Sequence, residues 1–185
     1  MLFLPNSNVI LSRIRIIALL MLIQLVSATA LAEEITGRII KVSDGDTLTI
    51  LVNGRDPIKV RLSEIDAPEK AQPFGQRSKQ SLSELCFAKN AVIKTTGLDR
   101  YGRTIARVIC AGTDANAEQI RRGFAWAYIK YLHDQSLLNL EKVAREAGRG
   151  LWIDNNPVAP WEYRKLKRQS SKRNRIKKEM PIERY

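Results

Sequence analysis

From Ile35 to Ser63 apolar and polar positions alternate. Ile35, Ile39 and Val42 precede an Asp44-Gly45 turn; Leu48, Ile50 and Val52 follow it; Ile58, Val60 and Leu62 lie beyond Asn53-Gly54. Spacing of period two predicts strands, and Asn-Gly between two such runs is a strong signal for a type I′ hairpin. The segment reads as a three-stranded meander with one apolar face. Lys59, Arg61 and Ser63 have the other parity, which points Arg61 away from that core. The meander ends at Asp66-Ala67-Pro68-Glu69, where Pro68 holds Ala67 extended.

Further along, the spacing lengthens to that of helices. One is predicted over 75–85, with Leu82 and Leu85 on one side. A second covers 116–122 and stops at Gly123. A third covers 135–147, with Leu138, Val143 and Ala144 as packing positions and Gly148 at its end. Residues 91–95 and 104–110 read as two more strands, joined through Asp99-Arg100-Tyr101-Gly102-Arg103. Leu151, Trp152 and Trp161 are the last apolar anchors. Five strands with three helices predict an α+β domain, and a five-stranded, partly open barrel of the OB type suits that count; such barrels commonly hold nucleic acid.

The two ends of the chain differ from this middle. Arg13 and Arg15 precede an apolar run from Ile16 through Val26, and Ala30-Leu31-Ala32 has the small-residue form of a leader-peptidase site. Residues 1–32 therefore read as a secretory signal, with an uncleaved membrane anchor as the alternative. Membrane association is expected only in that second case. The mature chain is expected to begin at Glu33, with a domain over 33–161, and to be exported to the periplasm or beyond.

Charge sharpens the other boundary. The 31 Lys and Arg against 19 Asp and Glu give a net +12, of which +7 falls in residues 161–185. Residues 162–185 read as a basic, disordered tail able to hold polyanions loosely. Cys86 and Cys110 are the only cysteines and His133 the only histidine. That inventory excludes a zinc site of four such ligands. In an oxidising compartment an even count favours a Cys86–Cys110 disulfide, the alternative being two separate thiols.

One histidine also excludes a pair of imidazoles working as acid and base, and neither a G-x-S-x-G elbow nor a Walker loop is present. Hydrolytic chemistry would have to run on carboxylates, cations and a bound metal. Asp44, Asp46, Asp66 and Glu69 flank strands of one meander, so they can meet at one barrel end. Acids gathered this way repel unless a cation neutralises them, and oxygen donors without imidazole or thiolate suit Ca²⁺ or Mg²⁺. Arg61 and Arg103 supply planar guanidinium groups that clamp phosphate oxygens. Metal, carboxylate and guanidinium are the parts needed to hydrolyse a phosphodiester.

Three ordered segments carry a resemblance to the staphylococcal-nuclease (thermonuclease) family: Val42-Ser43-Asp44-Gly45-Asp46-Thr47, Val60 to Glu69, and Asp99-Arg100-Tyr101-Gly102-Arg103. Gly123 to Tyr128 and Ala147 to Trp152 also fit. The resemblance implies an OB-fold barrel with three helices and one Ca²⁺, held by Asp46, Asp66 and the backbone carbonyl of Ala67, with Asp44 in the outer shell. Glu69 would be the general base, also near the outer shell, and Arg61 and Arg103 the pair that stabilises the transition state. Arg100, Tyr101 and Tyr128 match substrate contacts. The implied reaction is cleavage of DNA and RNA at the P–O5′ bond, leaving 3′-phosphate and 5′-hydroxyl ends, by a monomer with no obligate protein partner. The rival readings are a silent OB-fold that only binds nucleic acid, and a protein whose tail holds anionic lipid.

Overall fold

Strands β1 (Glu34–Asp44), β2 (Thr47–Val52) and β3 (Asp56–Leu62) form the antiparallel meander that the alternation predicts. The computed structural model describes residues 34–179, with side chains through residue 176. The leader, its cleavage point and the start at Glu33 lie outside the described residues. Asn53 and Gly54 both take positive φ, 52° and 71°, as a type I′ hairpin demands. One departure from strict alternation has a visible cause. Ile39 and Val42 differ in parity, yet both are buried, because register shifts between Ile39 and Lys41 and between Val42 and Asp44 bulge β1.

After the short β4 (Ile65–Asp66) come α1 (Gly75–Cys86), β5 (Asn90–Leu98) and β6 (Thr104–Cys110). β5 pairs antiparallel with β1 and with β6. β6 then runs parallel to β3, with Val60 opposite Thr104 and Leu62 opposite Ala106. That last pairing closes five strands, in the order β3-β2-β1-β5-β6, into a barrel. Closure removes the sheet edges, and Ile39, Leu48, Ile50, Val60, Leu62, Ile93 and Val108 fill the interior with almost no exposed surface. The class is α+β and the barrel is the expected OB-fold.

The remaining strands and α-helices are β7 (Thr113–Asp114), α2 (Ala115–Arg121), β8 (Trp126–Ala127), α3 (Ser136–Glu146) and α4 (Pro160–Glu179). Asp114 caps α2 by accepting from the Ala117 amide. In α3 the buried positions are Leu137 and Ala144, with Leu138 partly buried; the expected Val143 is nearly half exposed. Cys86, at the end of α1, and Cys110, at the end of β6, are joined as a disulfide.

The principal correction concerns the C-terminal region. Residues 162–179 of the expected disordered tail belong to the 20-residue helix α4, so the described residues hold four α-helices where three were expected. Its root is fixed by aromatic packing. Trp161 stacks on Tyr128 with ring centroids 5.4 Å apart and meets Trp126 edge-on at 5.6 Å. Tyr163 Oη donates to the Ala71 carbonyl, and Gln72 Nε2 donates to the carbonyl of Val158 just upstream.

Candidate active site

The acidic turn between β1 and β2 is shaped by a side chain that is not there. A Cβ on Gly45 would sit 1.8 Å from Ser78 Oγ and 2.8 Å from the Ala67 Cβ, so only glycine lets the turn lie against α1 and the β4 segment. Buried Gln119 on α2 secures the same turn, its Nε2 donating to the carbonyls of Gly45 and Ser78 at 2.7 and 3.1 Å. The turn thereby delivers Asp46 to the chain after β4, and the Ala67 amide donates to Asp46 Oδ2 at 3.0 Å.

Arg61, near the end of β3, joins the two acidic segments. Its Nη1 lies 2.8 Å from Asp46 Oδ2 and its Nη2 2.8 Å from Asp66 Oδ1. Parity had pointed Arg61 away from the barrel core, and it lies at the floor of a cleft of about 1090 Å³. Burial pulls its pKa down, but Asp46 and Asp66 outweigh that and hold it above the ordinary arginine value. Asp66 is fully buried beneath its partners. Burial pushes its pKa up, and Asp46 adds to this, against hydrogen bonding and charge from Arg164 and the charge of Arg61. Asp44 is pushed up to about 6, first by burial and next by the charge of Asp46.

Arg103 reaches the cluster indirectly. Asp99 Oδ1 accepts from the amides of Tyr101 and Arg103, and its Oδ2 holds the Arg103 guanidinium through Nε and Nη2, both at 2.7 Å. The Arg103 Nη1 then faces Thr47 Oγ1 at 3.3 Å, and that hydroxyl donates to Asp46 Oδ1 at 3.0 Å. Glu69 stands in the loop before α1. That loop folds tightly: a Cβ on Gly75 would lie 2.0 Å from the Glu69 carbonyl oxygen.

Arg164 belongs to the segment whose charge predicts a disordered tail. It enters the cleft from α4, its Nη1 and Nη2 meeting Asp66 Oδ1 and Oδ2 at 3.1 and 2.6 Å. Nη1 also donates to Glu69 Oε1 at 2.7 Å. Two signals could have found it. Pro160 and Glu162 have the placement favoured in a first helical turn, and Trp161 sits one helical turn before Arg164. Asp99 and Thr47, which orient Arg103, carried no comparable signal.

Of the residues assigned by resemblance, Asp44, Asp46, Arg61, Ala67, Glu69, Arg100, Tyr101, Arg103 and Tyr128 all line the one cleft. Asp66 lies just behind it. Among the described residues, no three of Asp, Glu, His and Cys are gathered as a ready-made metal centre. Asp46 and Asp66 are instead neutralised by guanidinium groups. The donors fit a hard divalent cation in chemistry, being carboxylates and backbone carbonyls with no imidazole or thiolate among them.

Residues 59–154 match the family profile described as staphylococcal nuclease homologue. The chain is 46% identical over 153 residues to an uncharacterized endonuclease of Haemophilus influenzae, covering 83% of this chain and 85% of that one. It is 38% identical over 149 residues to the micrococcal nuclease of Shigella flexneri, covering 75% and 85%. Protein ParB of Escherichia coli is 37% identical over 152 residues, covering 76% and 85%. The chain belongs to the staphylococcal nuclease family. The matched stretch runs from β3 to the turn after Trp152, so it includes Arg61, Asp66, Glu69 and Arg103 and ends before α4. Arg164 lies beyond the stretch that the family profile matches, as Asp44 and Asp46 do.

Proposed function

We propose that this protein is a Ca²⁺-dependent nuclease that hydrolyses phosphodiesters of DNA and RNA at the P–O5′ bond, leaving 3′-phosphate and 5′-hydroxyl ends. The observation that carries this reading is the convergence of Arg61, Asp46, Asp66, Glu69 and, through Thr47, Arg103 on one cleft. Family membership and relatives named endonuclease and micrococcal nuclease support it. Asp46, Asp66 and the Ala67 carbonyl would hold the cation, with Asp44 steadying its outer shell. When bound, the ion would polarise a phosphoryl oxygen.

The protein's own groups do the rest. Glu69 is the base that takes a proton from the attacking water, a role that typically contributes roughly 10²–10⁴-fold. Arg61 and Arg103 stay protonated and meet the charge that grows on the phosphoryl oxygens, where each well-placed donor contributes roughly 10²–10³-fold. Arg100 and the exposed Tyr101 offer a cation and a ring face to the strand, the guanidinium 4.8 Å above the ring. Tyr128 also lines the cleft.

Digestion of denatured DNA with Ca²⁺, and then with a chelator, tests the reading. Cleavage that survives the chelator rejects the metal, and intact polymer in both rejects the nuclease. Glu69→Gln should lower kcat by at least about 10²-fold with the fold preserved. Export to the periplasm or beyond is proposed with the activity. It rests on the leader-like pattern of residues 1–32 and on the Cys86–Cys110 disulfide. Amino-terminal sequencing of protein recovered from outside the cytoplasm should begin at Glu33.

A further inference from the structure

Helix α4 carries nine Lys or Arg and two Glu over Pro160–Glu179. With ~3.6 residues per turn, Arg164, Lys167, Arg168, Ser171 and Arg175 share one face. That face points into the cleft at its start, where Arg164 grips Asp66 and Glu69, and Arg168, one turn on, also lines the cleft. From Arg164 to Arg175 the helix rises about 16 Å, room for several phosphates of one strand. The side chains of Lys167 and Arg168 are exposed, whereas Trp161 and Tyr163 anchor the helix root against the barrel.

We infer that this face of α4 is a nucleic-acid track: one strand of the substrate leaves the active-site cleft and runs along the helix, its phosphates held by Lys167 and Arg168. The inference deepens the nuclease reading by giving the site a second, non-catalytic contact with polymer. A fixed helix suits this better than a loose tail, because its cations are spaced before the strand arrives and less ordering is lost on binding. Short substrates that fill only the cleft reach the track no further than Arg168. Long strands gain affinity from it, and that gain is electrostatic, so it falls with salt.

The test measures binding of the full chain to denatured DNA in a chelator, where no cleavage occurs, over a series of salt concentrations. Lys167→Gln with Arg168→Gln removes two cations from the face, and glutamine keeps the helix propensity. Lys165→Gln with Arg173→Gln removes the same charge from other sides of α4. The face variant should flatten the slope of log K against log salt by about 1.4, at roughly 0.7 per single-strand phosphate. The control pair should leave the slope near that of the unaltered protein, and should not change binding of a dinucleotide. An unchanged slope in the face variant overturns the track. Equal losses in both pairs reduce it to diffuse charge and also overturn it. Loss of binding to phosphatidylserine vesicles with DNA binding intact would assign the face to a membrane instead. Because the readout is binding, absent cleavage would sink the nuclease reading and leave this one standing.

Discussion

Arg164 and Asp66, separated by 98 residues in the chain, meet through two guanidinium nitrogens and two carboxylate oxygens at 3.1 and 2.6 Å. This contact sets the C-terminal helix against a carboxylate that we propose as a cation ligand. Asp66 has no exposed surface, so a cation reaches it only as the guanidinium groups over it give way.

Arg164→Gln is accordingly expected to tighten Ca²⁺ binding by about tenfold, the equivalent of one charged hydrogen bond at ~1.5 kcal/mol. Calorimetry on the variant and the unaltered protein compares the two dissociation constants. Equal constants would mean that Arg164 and the ion do not compete.

Asp44 gives the metal-free protein a pH dependence with a definite sign. Its carboxyl pKa is raised from 3.8 to about 6, so the folded state holds this proton more tightly than the unfolded chain does. The associated stability is complete below pH ~4 and is lost as pH rises through about 6. Asp66, also raised, works in the same direction. In a chelator, Asp44→Asn should melt at a higher temperature than the unaltered protein at pH ~7, with the gap closing below pH ~4. A gap of constant size would refute the assignment.

Gly75→Ala tests the loop that carries Glu69. The new methyl would lie 2.0 Å from the Glu69 carbonyl oxygen, so this loop must move. Displacing the base by about 1 Å is expected to cost roughly 10²-fold in kcat. Overpacking should cost ~1–3 kcal/mol of stability. Ca²⁺ binding should persist, since Asp46 and Asp66 lie elsewhere. Normal kcat in folded variant would show that the exact position of Glu69 is immaterial.

Gln119→Leu removes the donor shared by Gly45 and Ser78 while keeping the volume. Leaving two buried carbonyls without that partner should destabilise the protein by about 2 kcal/mol or more. Denaturant melts measure it, and a loss under ~0.5 kcal/mol, the range of ordinary surface changes, would show that the turn holds itself.

Much of this arrangement is legible in the sequence because local rules suffice for it. The hairpin at Asn53-Gly54, β6 and the limits of α1 to α3 follow from alternation, turn residues and helix stops. The acids and Arg61 could be joined because their positions at strand ends are set by the same alternation. The rest depends on contacts between distant residues. Nothing local shows that β1 bulges so that Ile39 and Val42 both turn inward, or that α3 presents Leu137 rather than Val143. Helix α4 has the charge of a tail and few apolar residues, and contacts at its root decide its place: Trp161 on Tyr128 and Trp126, and Arg164 on Asp66 and Glu69. Nor does anything local show that Arg103 is aimed by Asp99 and meets Asp46 through the Thr47 hydroxyl.

All three tryptophans of the chain, Trp126, Trp152 and Trp161, crowd together at the root of α4. The tryptophan emission of the protein therefore originates beside that one junction. Any ligand that loosens or reseats the helix will change the colour or yield of this light, so the molecule carries its own dye at the point where its appendage meets its barrel.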